Sequence, residues 1–251
     1  MRLFQSELKK IRRRHIGLIY IATFLAIFMW MAWAMGRMDA PLIASQGYYY
    51  MLLSLPLMNS IFLPTLLACA ESRICDIELK GNTFKALCTM QPRHSIYHIK
   101  LLFSALYLLF FTLAETALIP ALCSYYHVLQ PVPAFHIGAF FFSTYFVSLI
   151  LSVLQQSLSL LSENQLFPLF VGVGGTFVGI FTAFFPNLPV CYLLPWGYYH
   201  VVSTINMDYD NATRLATYYT IPFPWAFFLG FLTFGILIYL AGLNTFMKKE
   251  V

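Results

Sequence analysis

The sequence predicts an all-α membrane protein with six transmembrane helices. Three observations carry that prediction: the composition, six long apolar stretches, and the one-sided placement of Lys and Arg. Of the 251 residues, 60% are hydrophobic and 18% aromatic, and only 10% are charged. A soluble domain carries about 25% charged residues. One of this size also exposes too large a share of its chain to hide so much apolar surface from water, so soluble globular classes are excluded. Stretches long enough to cross about 30 Å of hydrocarbon fall at 16–35, 48–70, 101–123, 138–161, 166–185 and 225–247. With both termini cytoplasmic, the inner segments are 1–15, 71–100, 162–165 and 248–251. They hold 13 of the 15 Lys and Arg, leaving only Arg37 and Arg214 outside, as the positive-inside rule requires. Tyr48, Tyr49, Tyr50, Tyr125, Tyr126, Trp196, Tyr198, Tyr199, Tyr218, Tyr219 and Trp225 then form an aromatic belt at the outer interface. The net charge of +5 reflects orientation and contact with anionic membrane lipid. It is not a footprint for nucleic acid, because no soluble basic domain carries it. Residues 1–251 read as a single transmembrane domain.

Residues 1–14, MRLFQSELKKIRRR, place Leu3, Phe4, Leu8 and Ile11 on one helical face and cations on much of the rest. That pattern suits an amphipathic interfacial helix over 1–15 in the inner headgroup layer; a plain basic anchor is the alternative. The first span follows directly. The second contains Pro56 and Pro64, which predict kinks rather than breaks. Residues 71–100, ESRICDIELKGNTFKALCTMQPRHSIYHIK, are the one sizeable polar stretch on the cytoplasmic side. Glu71, Asp76 and Glu78 are set against Arg73, Lys80, Lys85 and Arg93, and Gly81 and Pro92 punctuate the stretch. The expectation is two short helical pieces around a turn, a cytoplasmic elbow able to dock a soluble partner; a solvated connecting loop is the alternative.

In the third span Glu115 is the acidic residue deep in the apolar run. An intramembrane carboxylate is a functional candidate by default; it reads either as a hydrogen-bond anchor or as a contact to substrate or a switch. In the fourth span Ser148, Ser152, Gln155 and Ser159 recur at helical spacing with Gln156 alongside. Such a stripe faces protein in lipid. It is read first as glue between helices and second as a lining for a transport path, with Glu115, Ser148, Ser152, Gln155 and Gln156 the substrate-path candidates. In the fifth span Gly172, Gly175 and Gly179 mark close helix packing, within the chain or across a dimer. The outer region 186–224 begins PNLPVCYLLPWGYYHVV, too apolar for a solvated loop. Irregular backbone at membrane depth must be covered by protein, so short re-entrant helices in the outer leaflet are expected before the last span. His94 and His98 are one turn apart, but no third ligand is evident and no metal site is assigned. Cys69, Cys75, Cys88, Cys123 and Cys191 contain no C-x-x-C pair and read as free thiols.

The elbow resembles the first cytoplasmic loop of ABC-2-type transporter permeases, whose pattern is close to E-x-x-x-G-T-W-K-x-L-x-x-x-P-x-S-R followed by Tyr and Lys. This chain supplies Glu78, Gly81, Thr83, Lys85, Leu87, Pro92, Arg93, Ser95, Tyr97 and Lys100, with Phe84 where Trp is common and Asn82 inserted. The overall plan matches along the whole chain: a basic amphipathic N-terminus, six spans, and a long apolar outer region before the last. The wording G-N-T-F-K-A-L is similar to permeases of lantibiotic-immunity (bacteriocin self-protection) exporters. The resemblance implies an ABC-2, type V exporter-like fold. It makes Glu71, Glu78, Asn82, Phe84, Lys85, Pro92 and Arg93 the ATPase-coupling residues. It implies two ABC ATPase subunits that carry ATP and Mg, a second six-span permease, identical or related, and an antimicrobial peptide as substrate. The place would be a bacterial plasma membrane. No cofactor is expected on this chain: no G-x-x-x-x-G-K-[ST] phosphate loop occurs, and no G-x-S-x-G or H-E-x-x-H suggests a hydrolase. Export of another drug, peptide or lipid shares this architecture. A channel or secondary transporter is the remaining class, and it ordinarily places several ionisable groups at mid-membrane.

Overall fold

A computed structural model describes residues 8, 14–80, 92–185, 188–210 and 215–249. Six helices are long and apolar enough to cross a membrane. They are α1 (Ile16–Met35), α2 (Ala40–Lys80), α3 (Arg93–Tyr125), α4 (Ala134–Leu161), α5 (Leu166–Phe184) and, after a four-residue helix α6 (Tyr198–Val201), α7 (Trp225–Lys248). The proposed interfacial helix at 1–15 lies almost wholly outside the described residues.

The helices differ from the expected spans mainly in length. α2 starts at Ala40 rather than 48 and runs unbroken to Lys80, 41 residues in all. At 1.5 Å per residue that is about 60 Å, twice the hydrocarbon thickness. Residues 71–80 and 93–100 are therefore not separate helical pieces of an elbow. They are the facing ends of α2 and α3, and the rest of the expected elbow, residues 81–91, lies outside the described residues. The chain continues in helix past residue 70 because its apolar periodicity continues: Leu63, Leu67 and Ile74 are all fully buried on one face.

α2 is the centre of the bundle, packed against α1, α3, α4 and most extensively α5, while α4 also carries α7. Pro64 removes the donor that the Ser60 carbonyl would have used in the helix. That carbonyl lies against Gly179 of α5, where a Cβ would sit 2.8 Å from it. One turn away, the Pro64 carbonyl lies 2.9 Å from where a Gly172 Cβ would be. Pro64 of α2 and Gly172 and Gly179 of α5 thus fit one another, and two helix backbones approach closely. Gly175 receives the indole of Trp196. Gly172, Gly175 and Gly179 thus serve packing inside this chain.

Outward faces remain apolar. Ile21, Met29 and Trp33 of α1, Phe170 and Phe177 of α5, and Ile236 and Leu240 of α7 are all exposed. In water that would be untenable, so these faces meet lipid.

The region before the last helix folds back against the bundle, and it is not purely helical. Two 3-10 turns (Pro189–Tyr192 and Pro195–Gly197) lead into α6. An antiparallel hairpin then follows, β1 (Ile205–Asp210) against β2 (Leu215–Thr220). Tyr198 stacks on Phe231 and Tyr192 on Phe227, with centroids 3.9 and 4.4 Å apart, which seats the turns on α7. The hairpin docks on α2 through the Tyr218 N–H, which donates to Gln46 Oε1 at 3.0 Å.

Candidate functional site

The end of the bundle where α3 starts and α7 stops is closed by cations that satisfy helix ends. Pro92 is the extended residue from which α3 starts. Arg93 donates to the carbonyls of Met247 (2.8 Å) and Lys249 (2.6 Å) at the end of α7. Lys249 Nζ donates to the carbonyls of Leu160 (2.9 Å) and Leu161 (3.2 Å) at the end of α4. These are the carbonyls that a helix C-terminus leaves without partners, and a cation there is favoured by the helix dipole. Arg93 therefore ties the elbow's exit to the last helix. Glu78 is described only by its backbone, and Asn82, Phe84 and Lys85 lie outside the described residues.

Glu71 is placed differently from the sequence expectation. It is not on a cytoplasmic surface; it is fully buried at a junction of helices. Its Oε1 accepts a short hydrogen bond from Ser152 of α4. Lys100 of α3 is fully buried as well, attracts the Glu71 carboxylate, and donates to the Ile74 carbonyl of α2 at 2.8 Å. The cause is the register of α2: Glu71 falls one turn after Leu67 and just under one turn before Ile74, on the inward face. A signal existed in the sequence, since Glu71 continues the apolar period of the second span.

The second interior carboxylate is Glu115, also fully buried. Asn59 Nδ2 of α2 donates to its Oε2 at 3.1 Å. Beside it, α6 enters the bundle. Tyr199 and Ser148 share a hydrogen bond of 2.9 Å. His200 Nε2 lies 3.2 Å from Ser60 Oγ, and Ser60 gives its single proton to the Leu57 carbonyl at 2.8 Å. His200 must therefore be the donor in that pair.

Most of the polar stripe of α4 is engaged inside the chain, while Ser159 Oγ is buried without a hydrogen bond. Ser152 holds Glu71, Ser148 holds Tyr199, and Gln156 Nε2 donates to the Tyr97 carbonyl at 3.0 Å. The Gln155 amide bridges the Pro168 carbonyl (3.1 Å) and the Gly172 N–H (3.3 Å) of α5. Glu115, Ser148, Ser152, Gln155 and Gln156 are each at most 1% exposed. None lines an open path in this conformation. The open grooves lie elsewhere. One of about 430 Å³ between α4 and α7 is almost wholly apolar, lined by Gly138, Phe142, Trp225 and Phe228 among others. A polar notch of about 490 Å³ between α2 and the start of α5 is lined by Ser72, Asp76, Glu163 and Gln165. His98 bonds and stacks with Tyr239 (2.6 Å). Among the described residues no group of three His, Cys, Asp or Glu is arranged for a metal. Cys69, Cys123 and Cys191 are free thiols.

His200 gives a pH prediction. Burial pushes its imidazole down to about 4, against about 6.5 in an unfolded chain. Folding therefore favours the neutral ring. The stability it contributes is complete above pH 6.5 and is lost as pH falls toward 4. The expected loss at pH 5 is on the order of 1–2 kcal/mol. Thermal melts in detergent at pH 7.5 and 5.0 read it out, and His200→Gln should flatten the difference. An equal pH effect in that variant would assign it to other groups.

The fold and its interior define a class: a multi-pass helical membrane component whose sequence contains no phosphate-binding loop of its own. A family model described as ABC-2 family transporter protein matches residues 3–179, and the chain belongs to that family. No curated protein matches the chain. No solved structure matches it either.

Proposed function

We propose that the chain is the permease half of an ATP-driven exporter that removes a lantibiotic or similar antimicrobial peptide from the producer's own plasma membrane. Two ABC ATPase subunits, carrying ATP and Mg, sit below it, and a second six-span permease, related or identical, completes the complex. Both termini are cytoplasmic, as the inner Lys and Arg require. The observation that carries this reading is the pair α2 and α3, 41 and 33 residues long. Both extend beyond the membrane thickness and bracket the stretch that resembles an ABC-2 coupling loop. An elbow on two long helices is what a soluble motor needs to push. Glu71 moves out of the ATPase-contacting set because it is buried; Glu78, Asn82, Phe84 and Lys85 remain in it.

The test is co-purification. A C-terminally tagged chain, extracted in mild detergent from its host, should bring down an ATPase and a second six-span chain. Reversing the elbow charges with Glu78→Lys and Lys85→Glu should cut the recovered ATPase by tenfold or more, the loss that about 1.4 kcal/mol of docking energy produces, with the permease still in the membrane. A chain recovered alone, where a control transporter stays intact, would end the exporter reading. Its two buried carboxylates would then favour a channel or secondary transporter.

A further inference from the structure

We propose that Glu71 is the joint through which movement of α2 passes to α4, a positioning residue for ATP-driven transport. The inference rests on the exporter reading and goes beyond it by naming where inside the bundle the stroke is transmitted. α2 runs without interruption from the outer face to Lys80, so it moves as one rod. Glu71 lies nine residues above its end, about 14 Å at 1.5 Å per residue. There Ser152 of α4 donates to one carboxylate oxygen. One turn further along α4, Ser148 is bonded to Tyr199 of α6, and the neighbouring Trp196 is seated in the gap left by Gly175. A single turn of α4 therefore connects an inner-side carboxylate on the driven rod to the re-entrant segment at the outer face.

The joint is also able to change partners. Glu71 Oε2 is buried without a hydrogen bond, and so are Ser104 Oγ of α3 and Tyr20 Oη of α1. The Ser104 hydroxyl faces the Glu71 carboxylate, and Tyr20 lies within its electrostatic reach. Unsatisfied buried polar atoms are costly. This resting arrangement thus leaves an acceptor and two hydroxyl donors idle around one carboxylate. A displacement of α2 that lets Oε2 accept from Ser104 or Tyr20 recovers those bonds while it pulls or releases Ser152. That is a two-state element of the kind that carries coupling between distant sites.

The experiment uses the complex of permease and ATPase in nanodiscs, labelled with 5-fluorotryptophan. The Trp196 resonance is assigned with Trp196→Phe. Mg·ATP with vanadate is the probe, and trapped nucleotide measures ATPase closure independently. In the wild type, trapping should shift the Trp196 signal. Ser152→Ala removes one hydroxyl and leaves the fold, and in it nucleotide should still be trapped while the Trp196 shift is lost. Glu71→Ala should behave alike. Glu71→Gln should restore the shift, because its amide oxygen accepts from Ser152 and its nitrogen can donate to Ser104. A purely structural Glu71 would lower the melting temperature of the Glu71→Ala variant but leave the nucleotide-driven shift in place. A wild-type shift in Ser152→Ala or Glu71→Ala overturns the proposal, as does a wild-type complex that traps nucleotide without moving Trp196. If no ATPase accompanies the chain, it is the exporter reading that fails, and the co-purification above identifies that case.

Discussion

Gly172→Leu should prevent the bundle from assembling. A Cβ at this position would stand 2.9 Å from the Pro64 carbonyl oxygen and 3.2 Å from the Gln155 side-chain amide, with Ala68 Cβ closer still. Two of these obstacles sit rigidly on α2, and a backbone carbonyl has no rotamer to retreat into. The only relief is to part α2 from α5, the most extensive helix pairing in the molecule. Overpacking a tight core costs about 1–3 kcal/mol and sometimes more. Here the whole interface must open, so the upper end or beyond is expected. Close approach of backbones is what membrane helices use in place of a hydrophobic driving force between them. Gly174→Leu is the matched control: it lies two residues away on the same helix, and its Cβ would meet nothing within 4 Å. In detergent, the Gly174 variant should melt as the wild type does. The Gly172 variant should elute aggregated or melt far lower. Near-identical melts for the two would mean that α2 and α5 do not pack as described.

The spans and the packing role of the fifth-span glycines were legible because they depend on strong local signals: length, apolarity, and small residues spaced along one face. What could not be read was which partner the glycines receive. That depends on Pro56 and Pro64 leaving α2 continuous, a matter of neighbouring helices filling in rather than of local propensity. The pairing of β1 with β2 was not legible for a related reason. Its first strand alternates Ile205, Met207 and Tyr209 with Asn206, Asp208 and Asp210, a period-two signal. The apolar stretch before it drew attention to re-entry and away from that alternation.

The candidate site divides in the same way. The stripe on α4 was visible as a pattern, and its burial follows from the rule that polar groups in lipid face protein. Glu71 was legible only in part. A glutamate after a span looks like the start of a loop, and a charged neighbourhood with Arg73 and Asp76 reinforces that impression. Yet Asp76 and Lys100 are buried too, so the charged residues flanking the elbow lie partly inside the bundle. The resemblance of the elbow to a coupling loop speaks to its sequence. Which of its residues touch a partner is a three-dimensional question, and for Glu71 and Arg93 the structure supplies contacts within the chain itself.

Glu115 and Asn59 should form a coupled pair in which each single change costs more than the double. Glu115→Leu removes the acceptor that Asn59 Nδ2 uses at 3.1 Å. It leaves an amide fully enclosed, with its oxygen already unpartnered. Stranding a buried polar group costs about 1–3 kcal/mol. Asn59→Leu strands the carboxyl group instead, whose desolvation is the more expensive of the two. Replacing both with leucine strands neither, and a paired replacement by apolar groups can be nearly neutral. Hydrogen bonds between membrane helices couple by only about 0.6 kcal/mol on average and 1.7 at most, because the unfolded chain in lipid also finds partners. Full burial and a carboxyl acceptor place this pair near that maximum, so about 1.5 kcal/mol of coupling is expected. A coupling energy near zero would show that Asn59 does not hold Glu115 in the bilayer. The double variant also separates the two readings of the carboxylate. With its fold restored, it should still show the nucleotide-driven shift of Trp196 if Glu115 only anchors α3 to α2. A stable double variant that has lost the shift would make Glu115 part of the moving mechanism, acting through Tyr199, which lies within electrostatic reach of it.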